Sequence, residues 1–600
     1  MRATVKSHLP AIACAATMLV CYFLIRPYAE IGICDDWSYV KTAQVLAQTG
    51  HIVYNGWAAA MLGWQAYFGA LFIKLFGFSF TAIRFSTVIE AMATAFLLER
   101  ICVRAGLSPR NATLATLTFV LSPLCLPWDF TFMTDVSGVL CVVVCLYMCL
   151  RAVQAESERS AMAWISFAAL LNAVDGTARQ ITWLGVLVMV PSTLWLLRRR
   201  RRVLIAGGLS CIAGAAIVVA AMHWFARQPY TVPSSMIPAS FDRQSLRLLV
   251  GQCLSAVGQL ALLALPVLLM FTACLRSWNR RKATVFTAAF LCFALPGMVL
   301  IHSHNKLAWL APFLDDYMTY STLQRLNAIA AWGSHLAIAC NAFCLFLTAA
   351  VMLGILSLVT CFFADPLAHP SPQREPDSIS WQQLGIMLGP FSFAYLGPLA
   401  VRAMQGLLYD RYLMPLFAVL LLVLVLYYQQ RVNANLPWAC ILIIAIFGGF
   451  SVAATHDEFA LFRGYAAAFN EIRSTGAPAT DIVGPWELQG WTEIEQTGYV
   501  NFPKIQVPKG AYVPQPARSY PASCTTLPAG FSQGLSSDFQ AAWSVNFLDM
   551  APALKPVYAV SVDPEMCGGQ AAFPPAIYRT WVAPHVNSIY VVRLPPSFPR

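Results

Sequence analysis

The chain has 600 residues, of which 58% are hydrophobic and only 11% are charged, and its mean hydropathy is +0.61. These values exclude an ordinary soluble protein and indicate that the lipid bilayer surrounds most of the chain. The net charge is +11, but most lysines and arginines lie in short clusters between apolar runs, as they do in cytoplasmic loops. A nucleic-acid partner is therefore not indicated.

Apolar segments follow one another through residues 1–454, which we predict to form one transmembrane domain. We expect an α-helical polytopic membrane protein with about thirteen spans, because about 20 apolar residues cross the hydrocarbon core. The first span follows Arg2 and Lys6 and is not followed by a cleavage site, so we expect it to be retained. The predicted spans lie near residues 9–26, 81–100, 111–127, 135–150, 161–175, 181–197, 203–225, 246–274, 284–301, 336–363, 383–403, 411–429 and 437–454.

The basic clusters between these spans indicate the orientation of the chain. If all the predicted spans are real, every cluster falls on the same side, which is the cytoplasm by the positive-inside rule. The N-terminus is then cytoplasmic, and residues 27–80 and 455–600 are extracytoplasmic. We expect a multi-pass protein of a bacterial inner membrane. The clusters are Arg2/Lys6, Arg100/Arg104/Arg110, Arg151/Arg159, Arg198 to Arg202, Arg276/Arg280/Arg281/Lys282, Arg374 and Arg431.

The first outer loop, residues 27–80, contains two segments of helical character. Residues 39–48 are amphipathic, and residues 57–78 are rich in Trp, Phe, Leu and Ala with a single Lys. We predict two amphipathic helices that lie along the membrane surface, with aromatic side chains at the depth of the lipid headgroups.

Residues 455–600 differ in composition from the rest of the chain. Pro, Gly and Ser become more frequent, and apolar residues form short runs at 557–562 and 588–594, as is typical of strands. With a helix near residues 459–473, these runs predict a small soluble α/β or mainly β domain.

Most of the 18 cysteines lie inside apolar runs, where cysteine behaves as a small hydrophobic residue. Cys524 and Cys567 are the exceptions, because they lie in the hydrophilic C-terminal domain. If this domain faces an oxidising compartment, the two can pair, and we predict a disulfide between them.

Two adjacent carboxylates follow the first span, in the sequence Cys34-Asp35-Asp36-Trp37-Ser38-Tyr39. Charged side chains at this depth are costly unless they are used or solvated, so Asp35 and Asp36 are candidate catalytic residues. An equally good explanation is that they begin the surface helix, since acids are favoured at helix N-termini.

A further acid, Asp135, stands in the short outer loop before the fourth span. It is another candidate catalytic residue, although a single acid at a helix start is more often a cap. Asp129 and Asp175 lie at similar depth and have the same alternative explanation.

Basic residues are scarcer on the outer side, so each one is more informative. Arg179 precedes the sixth span and Arg411 begins the twelfth. A guanidinium group binds phosphate through parallel hydrogen bonds, so both arginines are candidate phosphate ligands. The alternative is that each reaches the interface along its aliphatic stem or pairs with a lipid headgroup. Weaker candidates are Lys41, Lys74, Arg84, Lys306 and Arg325.

Taken together, these features resemble the GT-C superfamily of polyprenyl-phosphate-sugar glycosyltransferases, particularly the branch with bacterial protein O-mannosyltransferases and the lipid A aminoarabinose transferase. The resemblance covers roughly residues 9–454. It rests on four short motifs that share one side of the membrane: Asp35-Asp36-x-x-Tyr39, Asp135, Ala178-Arg179-Gln180 and Arg411-Tyr412-x-x-Pro415. The Pro-Pro-Leu stretch that many relatives carry after the first surface helix is missing, and Asn55-Gly56-Trp57 stands there instead.

The resemblance implies transfer of a sugar from a polyprenyl-phosphate donor to a hydroxyl group of a protein, lipid or glycan, outside the cytoplasm and with inversion. It points to Asp35 as the general base, with Asp36 where relatives often have Glu. Arg179 and Arg411 are expected to hold the phosphate, and Asp135 to orient the acceptor or support Asp35. No cofactor is required, although a divalent metal is compatible. Further site candidates are Tyr39, Tyr412 and Lys41.

Two other functions share this hydropathy. A transporter or lipid flippase is one, but its charges are expected near the middle of the membrane, whereas the charges here lie at the outer ends of spans. A noncatalytic assembly factor of the cell envelope, whose outer domain binds wall polymers, is the other.

Overall fold

A computed structural model shows how the chain folds. It describes residues 2–57, 59–233, 241–277, 334–363, 379–516, 518–520, 547–582 and 585–599, and the single positions 284, 287, 288, 291, 524 and 545. The predicted span 284–301 lies almost wholly outside these residues, and Lys306 and Arg325 lie outside them entirely.

Most of the described chain is helical. Short 3₁₀ or π segments at Gln180–Trp183, Gly185–Met189, Leu269–Ser277 and Asp410–Leu413 adjoin some of the α-helices. In chain order the α-helices are α1 (Arg2–Ile25), α2 (Asp36–Thr49), α3 (Gly63–Phe76), α4 (Phe80–Arg104), α5 (Pro109–Val120), α6 (Thr134–Val153), α7 (Glu158–Asp175), α8 (Val190–Leu196), α9 (Arg201–Phe225), α10 (Arg243–Leu263), α11 (Leu265–Leu268), α12 (Ser334–Phe363), α13 (Trp381–Met404), α14 (Met414–Arg431), α15 (Trp438–Ser474) and α16 (Trp486–Thr497).

Eight helical segments of the described chain are long and apolar enough to cross a membrane: those of α1, α4, α6, α9, α10, α13, α14 and α15. Shorter apolar helical segments at Gln180–Leu196 and Phe346–Phe362 coincide with the predicted spans 181–197 and 336–363, and a third, Leu265–Leu275, lies in the second part of the predicted span 246–274. The α-helical membrane architecture is thereby confirmed, whereas the number of thirteen spans stays a prediction.

Proline explains why two of the predicted spans differ from the observed helices. The span at 111–127 is helical only to Val120, shortly before Pro123, because the residue before a proline is disfavoured in the α conformation. The span at 246–274 is interrupted at Ala264, just before Pro266, which has no backbone N–H to continue the hydrogen bonding of α10.

The first outer loop contains the two expected helices, α2 and α3. Helix α2 buries Trp37, Tyr39 and Val40 against the protein. Helix α3 begins at Gly63, later than the expected Trp57, and leaves Leu75 and Phe76 exposed. An exposed apolar face of this kind suits the membrane interface.

Helix α15 connects the transmembrane part to the C-terminal domain without a break. It runs for 37 residues from Trp438 to Ser474, so the predicted span 437–454 and the predicted helix 459–473 are one helix. The expected boundary between residues 454 and 455 lies inside this helix, because no proline or glycine interrupts it there.

The C-terminal domain contains a small mixed sheet, as expected from its short apolar runs. Its strands are β1 (Ile482–Val483), β2 (Tyr558–Ser561), β3 (Gln570–Ala571), β4 (Ala576–Thr580) and β5 (His585–Arg593). Strand β1 is parallel to β2, and β5 is antiparallel to β2, β3 and β4. With helices α15 and α16 packed beside the sheet, the domain is of the α/β type.

The predicted disulfide is confirmed, because Cys524 and Cys567 are paired. The two cysteines are 43 residues apart in the chain. The bond therefore links the segment before β2 to the turn before β3.

Polar contacts hold the C-terminal domain on the membrane part. Asp457 of α15 accepts hydrogen bonds from the backbone N–H groups of Trp581 (2.6 Å) and Val582 (2.9 Å). Helix α16 packs on α2 at Gly490, where a Cβ atom would lie only 2.6 Å from the ring of Trp37. Close packing of these two helices therefore requires a glycine at this position.

Candidate active site

A cavity of about 910 Å³ lies where the first outer loop meets the outer ends of several spans. The start of α6, the segment before α8, the end of α9 and the end of α13 form its walls, and residues of the C-terminal domain complete them. The structure brings six of the eight candidate residues to this cavity: Asp35, Tyr39, Asp135, Arg179, Arg411 and Tyr412.

Asp135 joins the two candidate phosphate ligands. Its Oδ1 lies 2.5 Å from Nη1 of Arg179, and its Oδ2 lies 3.5 Å from Nε of Arg411. Arg179 also donates to the hydroxyl of Thr134 at 3.3 Å. Arginines from two distant parts of the chain therefore meet at one carboxylate, which fixes their position beside the cavity.

Aromatic rings restrict both guanidinium groups. Arg411 lies over the rings of Trp128 (5.0 Å) and Tyr409 (4.6 Å), and Arg179 lies 4.9 Å from the centre of the Tyr412 ring. These cation–π contacts support the orientation that Asp135 imposes. Tyr412 thus acts on Arg179 through its ring.

Asp35 is held differently from Asp135. The indole N–H of Trp57 donates to its Oδ1 at 2.7 Å, and the carboxylate lines the cavity. In the part of the chain that the structure describes, no Lys or Arg nitrogen lies within 4.0 Å of this carboxylate. Asp35 stands at the N-terminus of α2, but its side chain makes no capping hydrogen bond to that helix.

Tyr39 lies one helical turn along α2 from Asp35 and is buried. Burial raises the pKa of its hydroxyl well above the usual range, and the nearby charge of Asp35 adds to the effect. Tyr39 is therefore a neutral hydrogen-bond donor at the cavity wall near neutral pH.

Asp36, the other member of the aspartate pair, does not line the cavity. It is fully buried, with Oδ2 2.7 Å from Nε of Arg84, and Oδ1 accepts from the backbone N–H of Ile33 at 2.7 Å. Asp36 and Arg84 therefore form a buried ion pair, and Asp36 also stabilises the turn that precedes α2.

Lys41 lies away from the cavity as well. It forms an ion pair with Glu495 of α16 and lies 5.0 Å from the centre of the Trp491 ring. Its observed contacts join α2 to the C-terminal domain.

The cavity also contains residues that the sequence analysis did not select, among them Trp57, Arg402, Lys504 and Gln506. Arg402 stands at the outer end of a predicted span, so the rule that selected Arg179 and Arg411 applied to it equally. Lys504 and Gln506 belong to the C-terminal domain, and no pattern in the sequence indicated that this domain reaches the site.

No cluster of three or more metal-ligating side chains occurs among the residues that the structure describes. The sequence His302-Ser303-His304 lies outside those residues.

Solved structures that are similar to this chain at low sequence identity include two of ArnT and one of an oligosaccharyltransferase. ArnT from Cupriavidus metallidurans in the apo state is 16% identical (TM-score 0.34) over 99% of this chain and 98% of that one. The same protein bound to undecaprenyl phosphate is 14% identical (TM-score 0.35) over 98% and 99%. The Archaeoglobus fulgidus oligosaccharyltransferase, in complex with Zn and sulfate, is 12% identical (TM-score 0.34) over 93% and 68%.

The sequence was also compared with curated proteins and with models of protein families. No curated protein matches the chain. Residues 64–225 match the family model described as dolichyl-phosphate-mannose-protein mannosyltransferase, and this region includes Asp135 and Arg179 of the cavity. Over residues 64–225 the chain is therefore similar to that mannosyltransferase family, which confirms the resemblance to the GT-C glycosyltransferases.

Proposed function

We propose that this chain is a membrane glycosyltransferase that moves a sugar from a polyprenyl-phosphate donor to a hydroxyl acceptor outside the cytoplasm. The observation that carries the proposal is the division of charge in the cavity. One carboxylate, Asp135, holds two arginines in place, whereas Asp35 has no basic partner among the described residues. The family match supports a donor of the polyprenyl-phosphate-sugar type.

Arg179 and Arg411 are the proposed ligands of the donor phosphate. Together with Asp135 they carry one net positive charge, which matches the single negative charge of a phosphodiester. When the bond to the sugar breaks, negative charge grows on the phosphate, and fixed guanidinium groups stabilise that charge in the transition state. Because the arginines supply this positive charge, we propose that no metal cofactor is needed.

Asp35 is the proposed general base. Asp36 is buried against Arg84 and does not line the cavity, and both oxygens of Asp135 face arginines. Asp35 lines the cavity and has one oxygen to which no described residue donates, so an acceptor hydroxyl can reach it.

The proposed reaction is a single displacement. The acceptor oxygen forms a bond to the anomeric carbon while the bond from that carbon to the phosphate oxygen breaks. The electron pair of the broken bond stays on the polyprenyl phosphate, and the proton of the acceptor hydroxyl moves to Asp35. One displacement inverts the configuration of the sugar carbon. The neutral hydroxyl of Tyr39 is a hydrogen-bond donor for the sugar or the phosphate.

The side of the membrane is part of the proposal. The cavity lies at the ends of the spans that the positive-inside rule places outside the cytoplasm, and the C-terminal domain completes it. A tag on the C-terminus should be accessible in intact spheroplasts. A tag that is accessible only after permeabilisation would place the cavity in the cytoplasm.

Turnover of a lipid-linked sugar tests the function. The purified protein is incubated in liposomes with polyprenyl-phosphate-linked hexoses and pentoses and a membrane extract as acceptor, with and without EDTA. We expect one donor to be cleaved to polyprenyl phosphate, with EDTA having no effect. A donor that changes leaflet but stays intact would instead indicate a flippase. If every donor stays intact and in its leaflet, the protein would be an assembly factor.

A further inference from the structure

Trp57 lies in a loop that is held in place by contacts on both of its sides. The loop follows α2, where the Asn55 side chain bonds to Ser38, and the Asn55 carbonyl accepts from the N–H of Val500 at 2.9 Å. Gly56 has φ +85° and donates to the carbonyl of Tyr230 at 2.9 Å. A Cβ at Gly56 would lie 2.8 Å from the Val500 carbonyl oxygen, so the loop needs a glycine there to pass the C-terminal domain.

The ring of Trp57 is enclosed by four other aromatic rings, and we call these five rings the aromatic cluster. The centres of the four rings lie 5.0 to 6.3 Å from the centre of the Trp57 ring, and they belong to Trp37, Trp486, Phe502 and Phe547. Three of these four rings belong to the C-terminal domain. That domain therefore restricts the rotation of the Trp57 side chain.

The three indoles of the aromatic cluster differ in their hydrogen bonding. The Nε1 atoms of Trp37 and Trp486 are buried, and neither has a hydrogen-bond partner among the described residues. The N–H of Trp57 donates to Oδ1 of Asp35 at 2.7 Å. Packing alone does not require this donor, since a phenyl ring also fills an aromatic cluster.

The hydrogen bond from Trp57 makes the two oxygens of Asp35 differ in their surroundings. Oδ1 is occupied by Trp57, whereas no described residue donates to Oδ2. A carboxylate held by one oxygen cannot rotate freely, so the other oxygen keeps one direction relative to the cavity. Positioning of the reacting group in this way lowers the entropic cost of reaching the transition state.

We propose that Trp57 is a positioning residue that holds Asp35 so that Oδ2 faces the acceptor, and that the C-terminal domain maintains this arrangement through the aromatic cluster. The proposal rests on the proposed function, in which Asp35 accepts the proton. It assigns the C-terminal domain a part in the geometry of the site as well as in its walls.

Two matched substitutions test the proposal. Trp57→Phe removes the donor to Asp35 and keeps an aromatic ring in the cluster. Trp486→Phe removes an indole from the same cluster, but its N–H has no partner among the described residues, so it reports the effect of packing alone. Both variants are assayed as full-length protein in liposomes for release of polyprenyl phosphate, together with their thermal stability.

We expect kcat of Trp57→Phe to be at least about 10-fold lower than that of Trp486→Phe, which is the usual effect of one hydrogen bond to a charged group. The donor KM of Trp57→Phe should stay within about 2-fold of wild type, because the phosphate ligands are intact. Equal kcat values for the two variants, or a loss confined to KM, would overturn the proposal. A wild-type protein without turnover would instead refute the proposed function itself.

Discussion

Nε of Arg84 lies 2.7 Å from Oδ2 of Asp36, and both side chains are almost completely buried. The same guanidinium donates to the carbonyls of Ala29 and Ile31, each at 2.7 Å. This ion pair therefore joins α4 to the loop that precedes α2 and fixes the backbone beside Asp35.

Asp36→Asn should destabilise the protein strongly. Removing one partner leaves the Arg84 charge buried and uncompensated, at a cost of about 3 to 5 kcal/mol. Thermal unfolding in detergent should show a clearly lower midpoint, and the fraction that remains folded should still bind the donor. A variant with wild-type stability and no transfer would show that Asp36 takes part in the reaction.

Arg411→Lys tests the phosphate site. Lysine keeps the charge but loses the planar fork and its stacking on Trp128, so we expect the donor KM to rise by about 10- to 100-fold. Arg110→Lys is the matched control, because Arg110 also lies 5.0 Å from a tryptophan ring, that of Trp438, but does not line the cavity. Equal donor KM values in the two variants would assign Arg411 a structural role.

Asp135→Asn should make stability depend more strongly on the donor lipid. Without this carboxylate, Arg179 and Arg411 repel each other, so the unfolding midpoint should fall. Added polyprenyl phosphate supplies the missing anion and should raise the midpoint of the variant more than that of wild type. Scanning fluorimetry with and without this lipid measures both increments. An equal rise in the unfolding midpoint of the variant and of wild type would show that the two arginines do not bind the phosphate.

Glu487 predicts a pH dependence of stability. Burial raises the pKa of Glu487 from its ordinary value of 4.5 to about 8, and the nearby charges of Asp35, Asp36 and Glu458 contribute to the rise. Between these two values the folded state holds a proton that the unfolded state has released. The free energy of unfolding is therefore highest below the unfolded pKa and falls as the pH rises toward the folded value.

Glu487→Gln removes this titration. The unfolding midpoint of the variant should vary less between about pH 5 and pH 8 than that of wild type, and should be higher than wild type at pH 8. The exposed Glu565 provides a control, since Glu565→Gln should keep the wild-type profile. Identical profiles for wild type and Glu487→Gln would show that Glu487 is charged in the folded protein.

Hydropathy predicted most of the helices because the bilayer selects for uninterrupted apolar runs. Hydropathy did not predict the break that a single proline, Pro266, introduces into an apolar run. It also did not predict that α15 continues beyond the apolar run as one helix. A helix that leaves the membrane shows no break in its helical pattern if its polar half is also a good helix, so the sequence did not indicate that the predicted boundary at 454/455 lies inside α15.

The candidate site shows a second limit of sequence reasoning. Asp35 and Asp36 are adjacent in the chain, yet one contacts Trp57, 22 residues away, and the other contacts Arg84, 48 residues away. Composition and position along the chain cannot separate two such neighbours, because their tasks depend on which partner each side chain meets. The position of Lys504 at the cavity depends similarly on how the C-terminal domain packs on the first outer loop.

The most direct test of the account is the single-turnover rate of sugar transfer by Asp35→Asn. Asparagine has nearly the same size and can still accept the hydrogen bond from Trp57 through its oxygen, so the loop should keep its structure. We expect transfer to fall by at least about 100-fold, as is typical for the loss of a general base. Donor binding and the unfolding midpoint should stay close to wild type. Transfer at a near wild-type rate would contradict the assignment of Asp35 and make Asp135 the leading candidate for the base.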